Sequence, residues 1–110
     1  MNWTDEFSGA ITVCDKEGIV VYMNDRSKMQ FAKSDEGILV GKSLIDCHPE
    51  PARSLLLQML AKPTPNSYTI EKRGIRKMIY QTPWMEKGEF KGVVEISFGI
   101  PAQMPHHKRD

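Results

Sequence analysis

Hydrophobic positions along the chain change their period several times, and each change marks an element. In GAITVCDKEGIVVYMN (9–24), Ile11, Val13 and Asp15 alternate with Ala10, Thr12 and Cys14. DKEG carries turn residues, and IVVYM is β-branched and apolar on both faces, so the pattern predicts a hairpin of residues 9–15 and 19–24. DRSKMQFAK follows, mostly polar with Met29 and Ala32 three apart. That spacing predicts one short helix, capped by Asn24 or Asp25. SDEGILVGKS reads as a loop. PEPARSLLLQMLAK then puts Ala52, Leu55, Leu56, Met59 and Leu60 on one side of a helix, leaving Arg53, Gln58 and Lys62 polar, before PTPN stops it.

The remainder reads as strand. SYTIEKRGIRKMIYQTPWM is two runs around Gly74, and MEKGEFKG is a further turn. In FKGVVEISFGI, Val94, Ile96, Phe98 and Ile100 share one face, with Val93, Glu95 and Ser97 on the other. Pro83 has no ladder donor, so its strand is expected to bend, bulge or lie at an edge. Trp3 and Phe7, four apart, predict a short N-terminal helix with an aromatic stripe. This order defines an α+β domain: one antiparallel sheet with helices packed on one face. The first hairpin is expected to join the last three strands, because a lone hairpin is barely stable. The expected divisions are a helix or cap at 1–8, the domain at 9–100 and an exposed tail at 101–110.

Composition narrows the function. The 110 residues suffice for one self-folding domain, and 15 basic against 14 acidic side chains leave a charge near zero. The one basic cluster, EKRGIRK at 71–77, sits at an expected hairpin tip and reads as a solvated turn, so nucleic-acid binding is not expected. No run of about 18 apolar residues is present to cross a membrane, and MNWTDEF lacks a basic-then-apolar export pattern. A cytoplasmic chain with two free thiols, Cys14 and Cys47, is expected.

The segment DCHPEP (46–51) holds the candidate chemistry. Proline suits the first turn of a helix, Glu50 its positive end, and Asp46 an exposed backbone N–H nearby. Only Cys47 and His48 lack so plain a structural reason. A thiol before a helix N-terminus is more reactive than usual, so Cys47 is the candidate for reversible oxidation. An enzyme built on Cys47 would need a base and an oxyanion site, and no third group is evident. No catalytic residue is assigned. No metal site is expected either, because Cys47 and His48 stand adjacent without CxxC or HxxxH support and His106 and His107 lie in the tail.

The ordered elements, GIVVYMN after DKEG, GKSLIDCHPE opening the long helix and GEFKGVVEISFGI closing the sheet together resemble the PAS domain family. The likeness covers roughly residues 8 to 100. Its residues are Asn24 at the end of the second strand, then Gly41, Ser43, Leu44, His48, Pro49 and Glu50. The chain is similar in particular to the PAS segment of bacterial hemerythrin-linked sensory proteins, through Cys47, His48 and Pro49 and through Phe90, Gly92 and Glu95.

The resemblance implies a five-stranded sheet with helices enclosing a pocket, often paired as dimers. It further implies a non-catalytic bacterial sensor that binds a small molecule or responds to redox state and signals through a partner. Expected pocket walls are Met29, Phe31, Leu56, Met59, Tyr80, Trp84, Ile96 and Phe98, with His48 beside them. Gln81 and Glu95 either orient a polar ligand there or face water. The alternative is a haem sensor with His48 as axial ligand, which is not favoured: haem-bearing relatives carry their histidine further along the helix, where this chain has Leu55 to Leu60. The cofactor is left open. Photochemical flavin sensing is excluded, since neither cysteine sits in an Asn-Cys-Arg-Phe-type motif. Trp3 and Phe7 are expected at a homodimer contact.

Overall fold

The computed structural model describes residues 1–32, 39–46 and 48–110. Strands β1 (Ala10–Asp15) and β2 (Val20–Met23) form the first hairpin. Helices α1 (Asp25–Ala32) and α2 (Ala52–Ala61) follow, then β3 (Asn66–Lys72), β4 (Ile75–Glu86) and β5 (Glu89–Ile100). All five strands make one antiparallel sheet in the order β2-β1-β5-β4-β3. The first strand therefore pairs with the last, with Ile11 opposite Ile96 and Cys14 opposite Val93.

Turn chemistry sets the hairpins. Arg73 and Gly74 join β3 to β4, with φ of 55° and 78°, the positive pair that a two-residue turn needs to match strand twist. Gly92 has another reason to be glycine: a Cβ there would lie 1.9 Å from the Cys14 carbonyl oxygen. β1 and β5 can approach at this point only because that atom is missing. Pro83 sits in β4 where β3 has already stopped, opposite Gln81, and a register shift follows at Trp84 and Met85. It thus lies on a local edge beside a bulge.

Asn24 places α1. Its Oδ1 accepts from the Ser27 N–H (3.0 Å), the N-cap bond, and from the Ile11 N–H (2.8 Å). Its Nδ2 donates to the Thr4 and Gly9 carbonyls, both at 2.9 Å. The inner side of α1 is Ser27 and Phe31. Ser27 shares a 2.5 Å hydroxyl contact with Thr12 on β1, and Phe31 packs on the core. Glu50 serves α2: its carboxylate accepts from the Ser54 N–H at 2.9 Å and from the Ser54 hydroxyl. Asp46 does not cap; its own N–H donates to Ser43 Oγ.

The core lies between the sheet and these helices: Cys14, Val20, Met23, Leu39, Leu44, Leu56, Met59 and Val93, with Phe31, Ile45 and Leu60 against it. The α2 face expected to be apolar supplies its two most buried side chains, Leu56 and Met59. The segment at 41–44 lies along the outer edge of β2 through Gly41 N–H to Val20 O, Val20 N–H to Lys42 O and Leu44 N–H to Gly18 O.

Two expectations require correction. Residues 3–6 form turns closed by Asp5 N–H to Asn2 O and Phe7 N–H to Thr4 O, not a helix. Asn24 Nδ2 on Thr4 O and the Tyr22 hydroxyl on Asp5 Oδ1 hold the segment to the domain instead. Met29 is not a core residue; it is 58% exposed and lines an open cavity beside α1, because Ser27 and Phe31 take the side that packs on the core.

Candidate functional site

The helix-facing side of the sheet holds a row of polar side chains. Strand alternation puts Thr12, Gln81, Glu95 and Ser97 on that side, and contacts with the helical layer fix the assignment. Thr12 meets Ser27, Ser97 Oγ reaches Gln30 Oε1 at 3.5 Å, and Glu95 meets His48. Gln81 is fully buried and Glu95 is 8% exposed.

These groups satisfy one another in sequence. Asn66 Nδ2 donates to Gln81 Oε1 (3.1 Å), and Gln81 Nε2 donates to Glu95 Oε1 (2.8 Å). The same Glu95 oxygen lies 3.4 Å from His48 Nε2, while His48 Nδ1 lies 2.8 Å from the Leu44 carbonyl. A carbonyl oxygen only accepts, so Nδ1 carries its hydrogen. One polar chain, hydrogen-bonded from Asn66 through Gln81 to Glu95 and closed by the 3.4 Å His48–Glu95 contact, thus runs from the start of β3 across β4 and β5 to the segment that enters α2. Tyr68, on the same sheet face, has its hydroxyl pKa raised to about 12 by burial and by the nearby Glu95 charge.

Of the expected pocket residues, Phe31, His48, Leu56 and Met59 lie on this inner side. Tyr80, Trp84, Ile96 and Phe98 do not: each alternates with an inward residue and stands on the opposite face, although Phe98 also borders the open cavity beside α1. Tyr80 and Phe98 are 39% and 41% exposed. The physical reason is that inward polar side chains pair with one another, so burial does not follow hydrophobicity strand by strand. Met29 is also outside the core. The redox expectation falls on Cys47, which lies outside the described residues. The other thiol, Cys14, is fully buried, and burial pushes its pKa up to about 11. It is a poor nucleophile at neutral pH. Trp3 and Phe7 do contact each other edge-to-face, with centroids 5.6 Å apart, and Trp3 is 62% exposed. His106 and His107 are exposed, and among the described residues no three His, Cys, Asp or Glu side chains are grouped to hold a metal.

Sequence reading missed Asn66 and Tyr68. Asn66 looks like part of a turn in PTPN, and only its register opposite Gln81 makes it part of the chain.

No known family profile and no curated protein matches the sequence. Solved structures do match. The PAS domain of BvgS from Bordetella pertussis aligns with a TM-score of 0.67 at 21% identity, covering 91% of this chain and 82% of that one. The PAS domain of the histidine kinase ThkA aligns at 0.64 and 20%, covering 81% and 96%. The Aer2 receptor of Vibrio cholerae, a dual PAS-haem oxygen sensor, aligns at 0.61 and 21%, covering 84% and 95%. The class is therefore an α+β domain with a five-stranded antiparallel sheet and helices on one face. More particularly, it is the PAS fold. Among the described residues no helix is long and apolar enough to cross a membrane.

Proposed function

We propose that this chain is a non-catalytic sensory and interaction domain of bacterial signal transduction, working in the cytoplasm. The observation that carries this reading is the His48–Glu95–Gln81–Asn66 chain, which ties the helical layer to three strands at once. A small molecule that competes for Glu95 or Gln81, or an oxidation at Cys47, alters the packing of α2 on the sheet. The shift is then read by a second copy or a partner protein. The histidine kinase and the oxygen-sensing receptor whose PAS domains share this fold support this role.

Haem is the weaker reading. Axial ligation takes one free imidazole nitrogen, and both nitrogens of His48 are committed, to Leu44 O and to Glu95. His48 as placed does not fit an iron.

Native mass spectrometry of the protein purified from bacterial cells, followed by a thermal-shift screen of small polar molecules, tests the proposal. The expected result is a retained or added molecule that raises the melting temperature of the wild type and does so less in Glu95→Gln. The reading fails if no molecule shifts the melting temperature and oxidant leaves the oligomeric state unchanged.

A further inference from the structure

A cavity of about 370 Å³ lies on the helix-facing side of the sheet, at the end where the β3–β4 turn reaches past α1. It is separate from the residues of the His48–Glu95 chain, and its charge is one-sided. Arg26 of α1, Lys72 and Arg73 at the turn, and Lys77 of β4 line it, and no aspartate or glutamate does among the described residues. The one acid of the 71–77 cluster, Glu71, stands opposite Arg76 on the other face of the sheet. It is no counter-ion for the inward cations. None of the four lining cations forms an ion pair among the described residues.

Arg26, Lys72 and Arg73 are exposed and Lys77 is half-buried, so the empty cavity opens to water beside these cations. A sphere of this volume is about 9 Å across, within the ~10 Å Debye length at 0.1 M salt, so the four charges feel one another. An anion in the cavity gains charge-assisted hydrogen bonds, with Arg26 and Arg73 able to grip a carboxylate or phosphate in a fork. Met29 and Ile75 add apolar wall. The volume is that of a metabolite-sized pocket, and the basic groups surround a concavity rather than forming the stripe a nucleic-acid backbone needs.

We infer that this cavity binds a small organic anion carrying two or more negative charges, a di- or tricarboxylate or a phosphate ester. The inference goes beyond the sensory reading and does not depend on it.

Calorimetric titration and thermal unfolding with citrate and with pyrophosphate, at constant ionic strength and with acetate as the singly charged control, test it. The double variant Arg73→Asn, Lys77→Gln removes two charges without disturbing the fold: asparagine accepts the positive φ at 73, and glutamine keeps most of the lysine stem. At least one polyanion is expected to bind the wild type, and the double variant is expected to bind it at least tenfold more weakly. Without anion the variant should melt at about the same temperature, since neither cation forms an ion pair among the described residues. The inference is overturned if neither probe binds, if acetate matches both, if the variant binds equally well, or if only duplex DNA or phosphatidylglycerol vesicles bind. Its failure leaves the sensory reading intact, because that test reads Glu95→Gln and not these cations.

Discussion

His48 Nε2 lies 3.4 Å from Glu95 Oε1, joining the segment that enters α2 to the middle of β5. Both side chains are about nine-tenths buried, so solvent screens the contact little. Removing one partner leaves the other desolvated. His48→Ala and Glu95→Gln are each expected to destabilise the fold by about 1–3 kcal/mol, and the double variant by less than their sum. Urea unfolding of the four proteins of this double-mutant cycle measures the coupling. Strict additivity would mean that the contact contributes nothing.

Asn24 makes four hydrogen bonds from a buried position. Asn24→Ala leaves two N–H groups and two carbonyls to find other partners, with an expected loss of about 3 kcal/mol. Asn24→Asp keeps the N-cap acceptor but turns an oxygen toward the Thr4 and Gly9 carbonyls, and it should also destabilise. A loss below about 1 kcal/mol in both variants, read from urea midpoints, would contradict the role given to this side chain.

Two glycines predict different costs. At Gly92 an added Cβ meets the Cys14 carbonyl oxygen at 1.9 Å, so Gly92→Ala must part β1 from β5 and is expected to cost about 2–4 kcal/mol. At Gly74 there is open space but φ is +78°, so Gly74→Ala carries only backbone strain of about 1–2 kcal/mol. Melting temperatures of the two variants check the order, with Gly92→Ala the lower.

Stability should fall in alkali. The Cys14 thiol has its pKa raised from 9.0 to about 11 by burial, and the Tyr68 hydroxyl is raised from 10.0 to about 12. Between those values the unfolded chain has lost the proton that the folded chain keeps, so unfolding is favoured as pH rises. The Cys14 contribution, roughly 2–3 kcal/mol at most, is present below pH 9 and lost as pH approaches 11. Cys14→Ala should show a flatter stability profile over that window in urea titrations. An unchanged slope would rule out the thiol as the cause.

Trp3 projects 62% of its surface into solvent beside Phe7. If the pair forms the homodimer contact expected from the sequence, Trp3→Ala should shift sedimentation toward the monomer. A tight dimer that persists in the variant would place the interface elsewhere.

Most of the architecture was legible locally. Period-two alternation marked β1 and β5, the Ala52–Leu60 spacing marked α2, and DKEG, Gly74 and MEKGEFKG marked the turns, because these signals depend on neighbours within a few residues. The candidate site was legible only in part. His48 stood out beside a helix start, and Leu56 and Met59 followed from helical spacing.

Which face of β5 turned inward was a tertiary decision. Hydrophobicity alone favoured Val94, Ile96 and Phe98, yet Val93, Glu95 and Ser97 face the helices. Polar side chains are tolerated there because partners arrive from elsewhere in the chain: Ser27 for Thr12, Gln30 for Ser97, Gln81 and His48 for Glu95. No buried side-chain nitrogen or oxygen among the described residues lacks a partner. The amino-acid order thus determined the elements and their sequence along the chain. The cost of burying a polar group depends on contacts between distant segments, so only the assembled fold decided which residues form the site and gathered Arg26 with Lys72, Arg73 and Lys77 around one cavity.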